Sequence, residues 1–145
     1  MVSKILDHLY LGDAEDAKNF DGTIICAMQE IPEDEPMEAY WIPVIRSSVP
    51  LNIKELIADQ GAEITALQQQ LSLIAEIIFH HEGSGKPVLV HCLAGIERSP
   101  LAIVFYLHYF KKMNWDEAYE YVKEKRPQVQ NRLQWLNMTY EERMS

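Results

Sequence analysis

Hydrophobic and polar residues along the chain alternate between short apolar runs and longer stretches with helical spacing. Residues 23–28 and 88–90 are short, apolar and rich in β-branched side chains, which is typical of buried strands. Residues 5–11 and 40–45 are predicted as two further strands. Pro43 cannot donate a hydrogen bond to a neighbouring strand, so the second of them is expected to bend or to lie at an edge.

Between these runs, apolar positions recur at the period of an α-helix. Four longer helices are predicted, over residues 64–81, 99–112, 116–125 and 131–143. The stretch 46–63 lacks a regular period and contains Pro50 and Gly61, so it is predicted to be a loop. Strands interleaved with long helices indicate one α/β domain, residues 1–145, with a central, mostly parallel β-sheet flanked by helices.

Length and charge narrow the class of protein. The chain has 145 residues, enough for one domain with a substantial core. Its formal net charge of -9 argues against broad nucleic-acid binding, which needs a basic surface. No apolar run approaches the ~20 residues of a membrane span, and the first residues lack the apolar core of a signal peptide. We therefore expect a cytoplasmic protein with no membrane or nucleic-acid partner.

The two cysteines, Cys26 and Cys92, cannot form a disulfide framework and lack the clustered spacing of a zinc site. Cys26 lies in an apolar run and is interpreted as core packing rather than as a redox partner of Cys92. No set of metal ligands is recognised, so neither a metal nor a cofactor is expected.

The segment that carries chemistry is residues 88–100. A buried strand ends in a cysteine, a short loop with one glycine follows, and a helix begins. Backbone N–H groups of such a loop and of the first helical turn have no internal partners and converge on a bound anion. The predicted phosphate loop consists of Leu93, Ala94, Gly95, Ile96, Glu97 and Arg98.

Cys92 and Arg98 are the residues that we assign to catalysis within this loop. The planar guanidinium of Arg98 can hold two phosphate oxygens at once. A thiol beside Arg and His at a helix N-terminus ionises more readily than a free thiol, so Cys92 is the predicted nucleophile. A thiolate, an anion cradle and a cationic clamp in one loop suffice for covalent phosphoryl transfer.

The string His-Cys-x-x-Gly-x-x-Arg-Ser, from His91 to Ser99, resembles the loop of the protein tyrosine phosphatase superfamily. The chain looks most like the small, atypical dual-specificity branch, and residues 9–12, 117–119 and 125–131 also resemble that branch. The resemblance implies hydrolysis of phosphotyrosine and of phosphoserine or phosphothreonine through a cysteinyl-phosphate intermediate. It also implies that His91 supports the loop and that the Ser99 hydroxyl stabilises the departing thiolate. Ser99 with Pro100 is equally suited to begin the helix as its N-cap and first residue.

The resemblance implies a general acid, usually Asp, on a separate loop before the helix that precedes the cysteine strand. Asp59 is the only Asp in the stretch 46–63 and stands 33 residues before Cys92. Glu63 is the first alternative and Glu55 a weaker one. The family often carries Asp just after an Ile-Pro-x strand end, whereas here Arg46 falls in that region.

Three further residues are predicted to border the site. Glu97 replaces the small residue usual before the arginine; its carboxylate would oppose an anion, so it is expected to point outward. Arg126 and Asn131 are candidates for a second anion contact, with an ordinary surface role as the alternative for Arg126.

Other functions remain open at this level. A phosphatase for phosphoinositides or RNA 5′-phosphates would use the same loop, but such substrates favour extra Lys or Arg, and this loop offers Leu93, Ala94, Ile96 and Glu97. That composition favours phosphorylated proteins or peptides as partners. A non-catalytic phosphopeptide-binding module predicts loss of the Cys or the Arg, and both are present. A rhodanese-type sulfur carrier has no need for this string.

Overall fold

The computed structural model of the chain describes residues 1–33, 35, 36, 38–44 and 53–145, with residues 53–63 as helical backbone without side chains. The strands are β1 (Ser3–Leu6), β2 (Leu9–Gly12), β3 (Thr23–Cys26), β4 (Tyr40–Trp41) and β5 (Val88–His91). The α-helices are α1 (Ala14–Ala17), α2 (Ile53–His81), α3 (Arg98–Lys111), α4 (Trp115–Lys125) and α5 (Tyr140–Met144), with a 3₁₀ turn at Leu133–Leu136.

The five strands form one sheet in the order β1-β2-β5-β3-β4. Only the β1–β2 pair is antiparallel; β2–β5, β5–β3 and β3–β4 are parallel. The predicted α/β class with a mostly parallel sheet is confirmed, and β4, which precedes Pro43, lies at the sheet edge as expected.

Strand β5 is the central strand of the sheet and lies in the core. All four residues of β5 are buried, and so are residues 99–107 of α3, which follows it. Helices α2 and α3 pack against one another, and the buried faces of α2 and α4 complete the core. Because burial of each Leu or Ile stabilises the fold by about 1.5–3 kcal/mol, the strand and helix on either side of residue 92 are held firmly.

Three sequence expectations about elements are corrected. Residues 5–11 form parts of two strands joined by a turn at Asp7 and His8, a pair without the Gly or Asn signal of a tight hairpin. Helix α2 begins at Ile53 rather than at residue 64, because one Gly costs a helix only about 1 kcal/mol and its neighbours are good helix formers. In place of a last helix over 131–143 there are the 3₁₀ turn and the short α5.

Among the described residues, no helix combines the length and the apolar character that crossing a membrane requires.

Candidate active site

The candidate site lies at the carboxyl end of β5, between its parallel neighbours β2 and β3. Cys92 follows the strand directly, residues 92–97 form a loop, and α3 begins at Arg98. The end of β5 is anchored to the β3 side, where the Ala27 N–H donates to the carbonyl of His91 at 2.8 Å. Ligands of parallel sheets bind at this carboxyl edge.

The carbonyl oxygens of the loop all point to protein donors outside it. Leu93 O accepts from Ala14 N at 3.1 Å, and Ile96 O accepts from Gln130 N at 3.0 Å. The carbonyls of Ala94 and Gly95 accept from a guanidinium described below. Since C=O and N–H point in opposite directions across a trans peptide, the amides that follow these carbonyls face the inside of the loop. This orientation is the one that the predicted anion cradle requires, and the binding of an anion there stays a prediction.

Gly95 has a backbone conformation and surroundings that demand glycine. Its φ is +69°, in the left-handed region. A Cβ at this position would lie 2.7 Å from the carbonyl oxygen of Gly12 and 2.8 Å from Nη2 of Arg126. The loop therefore passes too close to β2 and to Arg126 for any side chain.

Arg126, the residue after α4, supports the phosphate loop through hydrogen bonds to its carbonyl groups. Its side chain donates from Nε to Gly95 O at 2.9 Å and from Nη2 to Ala94 O at 3.2 Å. Nη1 donates to the Met1 carbonyl at 2.6 Å and to Ser3 Oγ at 3.0 Å. The residue is only 2% exposed. The geometry therefore makes Arg126 a support of the loop rather than an ordinary surface arginine, and its contact with an anion stays a prediction.

Asn131, the other candidate for a second anion contact, accepts a hydrogen bond from the Leu133 amide at 2.9 Å. This bond lies at the start of the 3₁₀ turn, so the observed role of the Asn131 side chain is local. Nothing in the described structure tests its contact with an anion.

Cys92 and Ser99 meet at the base of the site. The Cys92 residue is 4% exposed and Ser99 is fully buried, with Sγ and Oγ 3.1 Å apart. Helix α3 has Glu97, not Ser99, at its N-cap position, and Glu97 makes no side-chain capping bond. The N-cap interpretation of Ser99 is thus wrong, because its hydroxyl is turned to the thiol.

His91 forms a buried hydrogen bond to a glutamate side chain, a contact that the sequence did not reveal. Its Nε2 lies 2.7 Å from Oε1 of Glu35, and the His91 and Glu35 side chains are 0% and 2% exposed. Nδ1 lies 3.3 Å from the carbonyl oxygen of Cys92. Glu35 belongs to the connection between β3 and β4, 56 residues away in sequence, in a stretch with five acidic residues between 30 and 38. No local signal distinguishes it from its neighbours.

Cys92 and Arg98 line an open depression of about 380 Å³ together with loop and neighbouring residues. The other lining residues are Leu93, Ala94, Ile96, Glu97 and Gln130. Leu93 is 66% exposed and forms part of the rim. The depression brings the predicted nucleophile and the predicted clamp to one surface.

Glu97 does not stand alone at the rim. Its Oε1 accepts from Arg132 Nη2 at 2.6 Å and from Arg132 Nε at 3.2 Å. The carboxylate is thus turned to a cation, which removes most of the repulsion that an anion in the loop would meet. No local pattern in the sequence distinguishes Arg132, because its partner lies 35 residues away.

The predicted general acids fall where the side chains are not described. Positions 55, 59 and 63 lie on the α2 backbone rather than in a loop. The side chains of Asp59, Glu63 and Glu55 lie outside the described residues, so their assignment stays a prediction.

Cys26, Glu35 and His91 are the described residues whose spacing would suit a metal ion, with ligand atoms all within 4.8 Å of one another. Burial raises the pKa of the Cys26 thiol to about 11, so it is neutral at ordinary pH. Glu35 and His91 already bond one another. We therefore interpret the group as a buried histidine–glutamate pair beside a neutral thiol.

A larger cavity, about 660 Å³, lies elsewhere, at the turn between β1 and β2 and the start of β5. It is lined by residues such as His8, Glu82 and Tyr106 and is remote from Cys92 along β5. It has no anion loop, so its size does not make it the active site.

Comparison with known proteins agrees with this geometry. Residues 9–143 match the family model described as dual specificity phosphatase, catalytic domain. Human dual specificity protein phosphatase 8 is 30% identical over 148 residues, covering 97% of this chain but 22% of that protein. The chain thus spans about a fifth of the length of that relative.

Two solved structures have the same fold. The crystal structure of DUSP15 has a TM-score of 0.68 at 23% identity and covers 93% of this chain and 84% of that one. The human tyrosine phosphatase-like serine/threonine/tyrosine-interacting protein has a TM-score of 0.66 at 20% identity, covering 94% and 91%. With the loop between β5 and α3 and the match over residues 9–143, the resemblance noted in the sequence is confirmed: the chain belongs to the dual-specificity phosphatase family of the protein tyrosine phosphatase superfamily.

Proposed function

We propose that the chain is a catalytic domain that hydrolyses phosphotyrosine and phosphoserine or phosphothreonine in proteins through a cysteinyl-phosphate intermediate. The observation that carries the proposal is the position of Cys92. Its sulfur lies at the base of a depression whose loop carbonyls turn outward, with the Ser99 hydroxyl 3.1 Å away.

In the first step the Cys92 thiolate attacks phosphorus and forms the S–P bond, while the bond from phosphorus to the ester oxygen breaks. Charge in the loose transition state spreads over the equatorial oxygens, which the loop amides and Arg98 stabilise. A protonated carboxyl, assigned to Asp59 with Glu63 and Glu55 as alternatives, supplies the proton that the leaving oxygen takes up.

In the second step water attacks the phosphocysteine. The ionised carboxylate accepts a proton from the water, the S–P bond breaks, and inorganic phosphate leaves. The Ser99 hydroxyl donates a hydrogen bond to the thiolate as it departs, which its 3.1 Å contact with Sγ supports.

The rim supports a phosphoprotein substrate. Leu93, Ala94 and Ile96 offer apolar contacts, and the one acidic side chain, Glu97, is paired with Arg132. A phosphoinositide or an RNA 5′-phosphate carries further phosphates, which favour extra cations rather than an apolar rim.

From this rim we infer that the substrates are phosphorylated proteins or peptides. Hydrolysis of phosphotyrosine and phosphothreonine peptides by the purified chain, with a chelator present, tests the proposal. We expect kcat/KM for these peptides to exceed that for a phosphoinositide or an RNA 5′-phosphate by at least about tenfold. Cys92→Ser should abolish turnover while phosphopeptide binding persists. Faster turnover of the lipid or the RNA would instead support the second phosphatase class.

A non-catalytic phosphopeptide-binding module is the alternative of another class. It predicts loss of Cys92 or Arg98, and both are present; the likeness to the tyrosine phosphatase-like interacting protein, at 20% identity, shows the fold alone. Such a module also predicts that the wild-type chain binds phosphopeptides without turning them over, which the same assay would detect.

A further inference from the structure

The buried pair of His91 and Glu35 presents hydrogen-bond acceptors to both nitrogens of one imidazole ring. Oε1 of Glu35 lies 2.7 Å from Nε2, and the carbonyl oxygen of Cys92 lies 3.3 Å from Nδ1. A carbonyl oxygen and a carboxylate oxygen only accept hydrogen bonds. Both contacts are satisfied together when both ring nitrogens carry a proton, which makes the ring an imidazolium.

The surroundings of His91 are consistent with a charged ring. Removing a single charge from water is costly unless a partner compensates it, and Glu35, 2% exposed, is that partner. Cys26, the residue paired with His91 across β3 and β5, adds a thiol whose pKa burial raises to about 11.

Other titratable groups near the end of β5 come from each neighbouring element. Cys92 continues β5 itself, and Arg98 begins α3. On the β2 side the partner of His91 is Gly12, followed by Asp13 and by Asp16 of α1, which bond one another's backbone amides. Within this described shell, Glu35 is the carboxylate in hydrogen-bond contact with the ring.

We propose that Glu35 is a positioning residue for the phosphatase reaction. It holds His91 as an imidazolium, whose Nδ1–H donates to the Cys92 carbonyl and fixes the residue that bears the sulfur. It thereby also keeps a positive charge next to the Cys92 thiolate. The inference rests on the proposed role of Cys92 as the nucleophile.

The consequence is a shift in the pH dependence of the reaction. Glu35→Gln removes the negative charge that faces Nε2, so the imidazolium loses its partner and the Cys92 thiolate loses the support of a neighbouring cation. We expect the acidic limb of kcat/KM against pH to move upward by about one pH unit. Activity at a pH well below the limb should fall about tenfold, and activity well above the limb should recover to within about twofold.

Two variants control this measurement. Glu35→Asp keeps the charge and should restore at least part of the acidic limb. Glu33→Gln removes an exposed carboxylate from the same connection and should leave the profile unchanged. An equal shift in Glu33→Gln, or an unshifted profile in a folded Glu35→Gln protein, would overturn the proposal.

A substrate-free readout separates this inference from the proposed function. The pH dependence of the rate at which iodoacetamide alkylates Cys92 should shift upward by the same amount in Glu35→Gln. Mass spectrometry identifies the alkylated residue. If Cys92→Ser retained turnover, the nucleophile assignment would fail whatever the alkylation profile showed.

If Glu35→Gln does not fold, nitrogen-15 NMR of the wild-type chain tests the proposal instead. Both ring nitrogens of His91 should give imidazolium signals at pH 7, unchanged by a chelator or by added zinc. A neutral-ring signal at pH 7, or a signal that depends on zinc, would contradict the proposal.

Discussion

At the scale of single residues, Gly95 has both a positive φ and no room for a Cβ, a combination that no other described glycine shows. Its φ is +69° and a Cβ would meet the Gly12 carbonyl at 2.7 Å. Gly85 has a φ of +76° with nothing near its Cβ position, and Gly83 has neither constraint.

Gly95→Ala should therefore lower both stability and activity. The left-handed conformation costs about 1–3 kcal/mol, and the displaced loop should cost kcat/KM about a hundredfold. Gly85→Ala should lose stability alone, and Gly83→Ala should change neither. Urea denaturation and turnover of an aryl phosphate measure the series. Full activity in Gly95→Ala would mean that the loop does not approach β2 so closely.

The role of Asp59 as general acid is a prediction from the sequence alone, because its side chain lies outside the described residues. Asp59→Asn should slow turnover about a hundredfold for esters with poor leaving groups and less than about threefold for an electron-poor phenol, since a good leaving group needs no proton. Glu63→Gln and Glu55→Gln are the matched variants on the same helix. If either shows the leaving-group dependence that Asp59→Asn lacks, the acid has been misassigned.

At the scale of elements, the residue after α4 connects the helix to the N-terminal residues and to the phosphate loop. Arg126 makes its four described bonds with Gly95, Ala94, Met1 and Ser3. Its donors satisfy the buried Gly95 carbonyl and three partly buried acceptors, so this one side chain holds three segments together.

Arg126→Gln should reduce the free energy of unfolding by about 2–5 kcal/mol, because buried carbonyls lose their donors. It should also reduce kcat/KM by more than about tenfold at a temperature at which the variant is folded. Lys125→Gln is the control: its ammonium lies 5.3 Å from the Tyr121 ring, a contact that contributes less than about 1 kcal/mol. Equal losses in the two variants would exclude a specific hold on the loop.

Elements with a strong local signal were predicted well from the sequence. The buried strand before Cys92, the apolar helix after it and α4 were found within about two residues, because their periods are unambiguous. The β1–β2 hairpin and the first turns of α2 were missed because Asp7 and His8 resemble strand residues and Gly61 resembles a breaker. Strand pairing decided the first of these elements, and in the second the good helix formers around Gly61 outweighed its cost of about 1 kcal/mol.

The residues of the candidate site likewise fall into those that the sequence reveals and those that only the fold reveals. Cys92, Arg98, Gly95 and Ser99 lie in one contiguous string, so the sequence alone brings them together. Glu35 and Arg132 reach the site from 56 and 35 residues away, and only the folded chain pairs them with His91 and Glu97. For the same reason the sequence left Arg126 as a candidate anion contact or a surface arginine and did not reveal its bonds to the loop carbonyls.

At the scale of the whole molecule, a cluster opposite the site connects α2, α3 and the rim of the cavity of about 660 Å³. Glu82, just after α2, bonds the Tyr106 hydroxyl and the Lys111 ammonium. Burial alone would raise the pKa of the Glu82 carboxyl, but the bonds from Lys111 and Tyr106 outweigh burial and hold that pKa below its ordinary value.

A lowered pKa in the folded state makes stability depend on pH. The contribution of Glu82 is fully present above the pKa of the unfolded chain, about 4.3, and is lost as pH falls through the lower folded pKa. The difference in unfolding free energy between wild type and Glu82→Gln should thus be constant from pH 7 to pH 5 and shrink toward pH 3. Glu76→Gln, on the exposed face of α2, should show no such change. A difference that grew toward acid pH would contradict the sign.

The central claim is that Cys92 carries the phosphoryl group during turnover. Rapid acid quench of the wild-type chain with an aryl phosphate, followed by peptide mass spectrometry, tests it most directly. The account predicts one added phosphoryl group on the peptide containing Cys92, present in Cys26→Ser and absent in Cys92→Ser. Steady turnover with a phosphoryl group on another residue would contradict it.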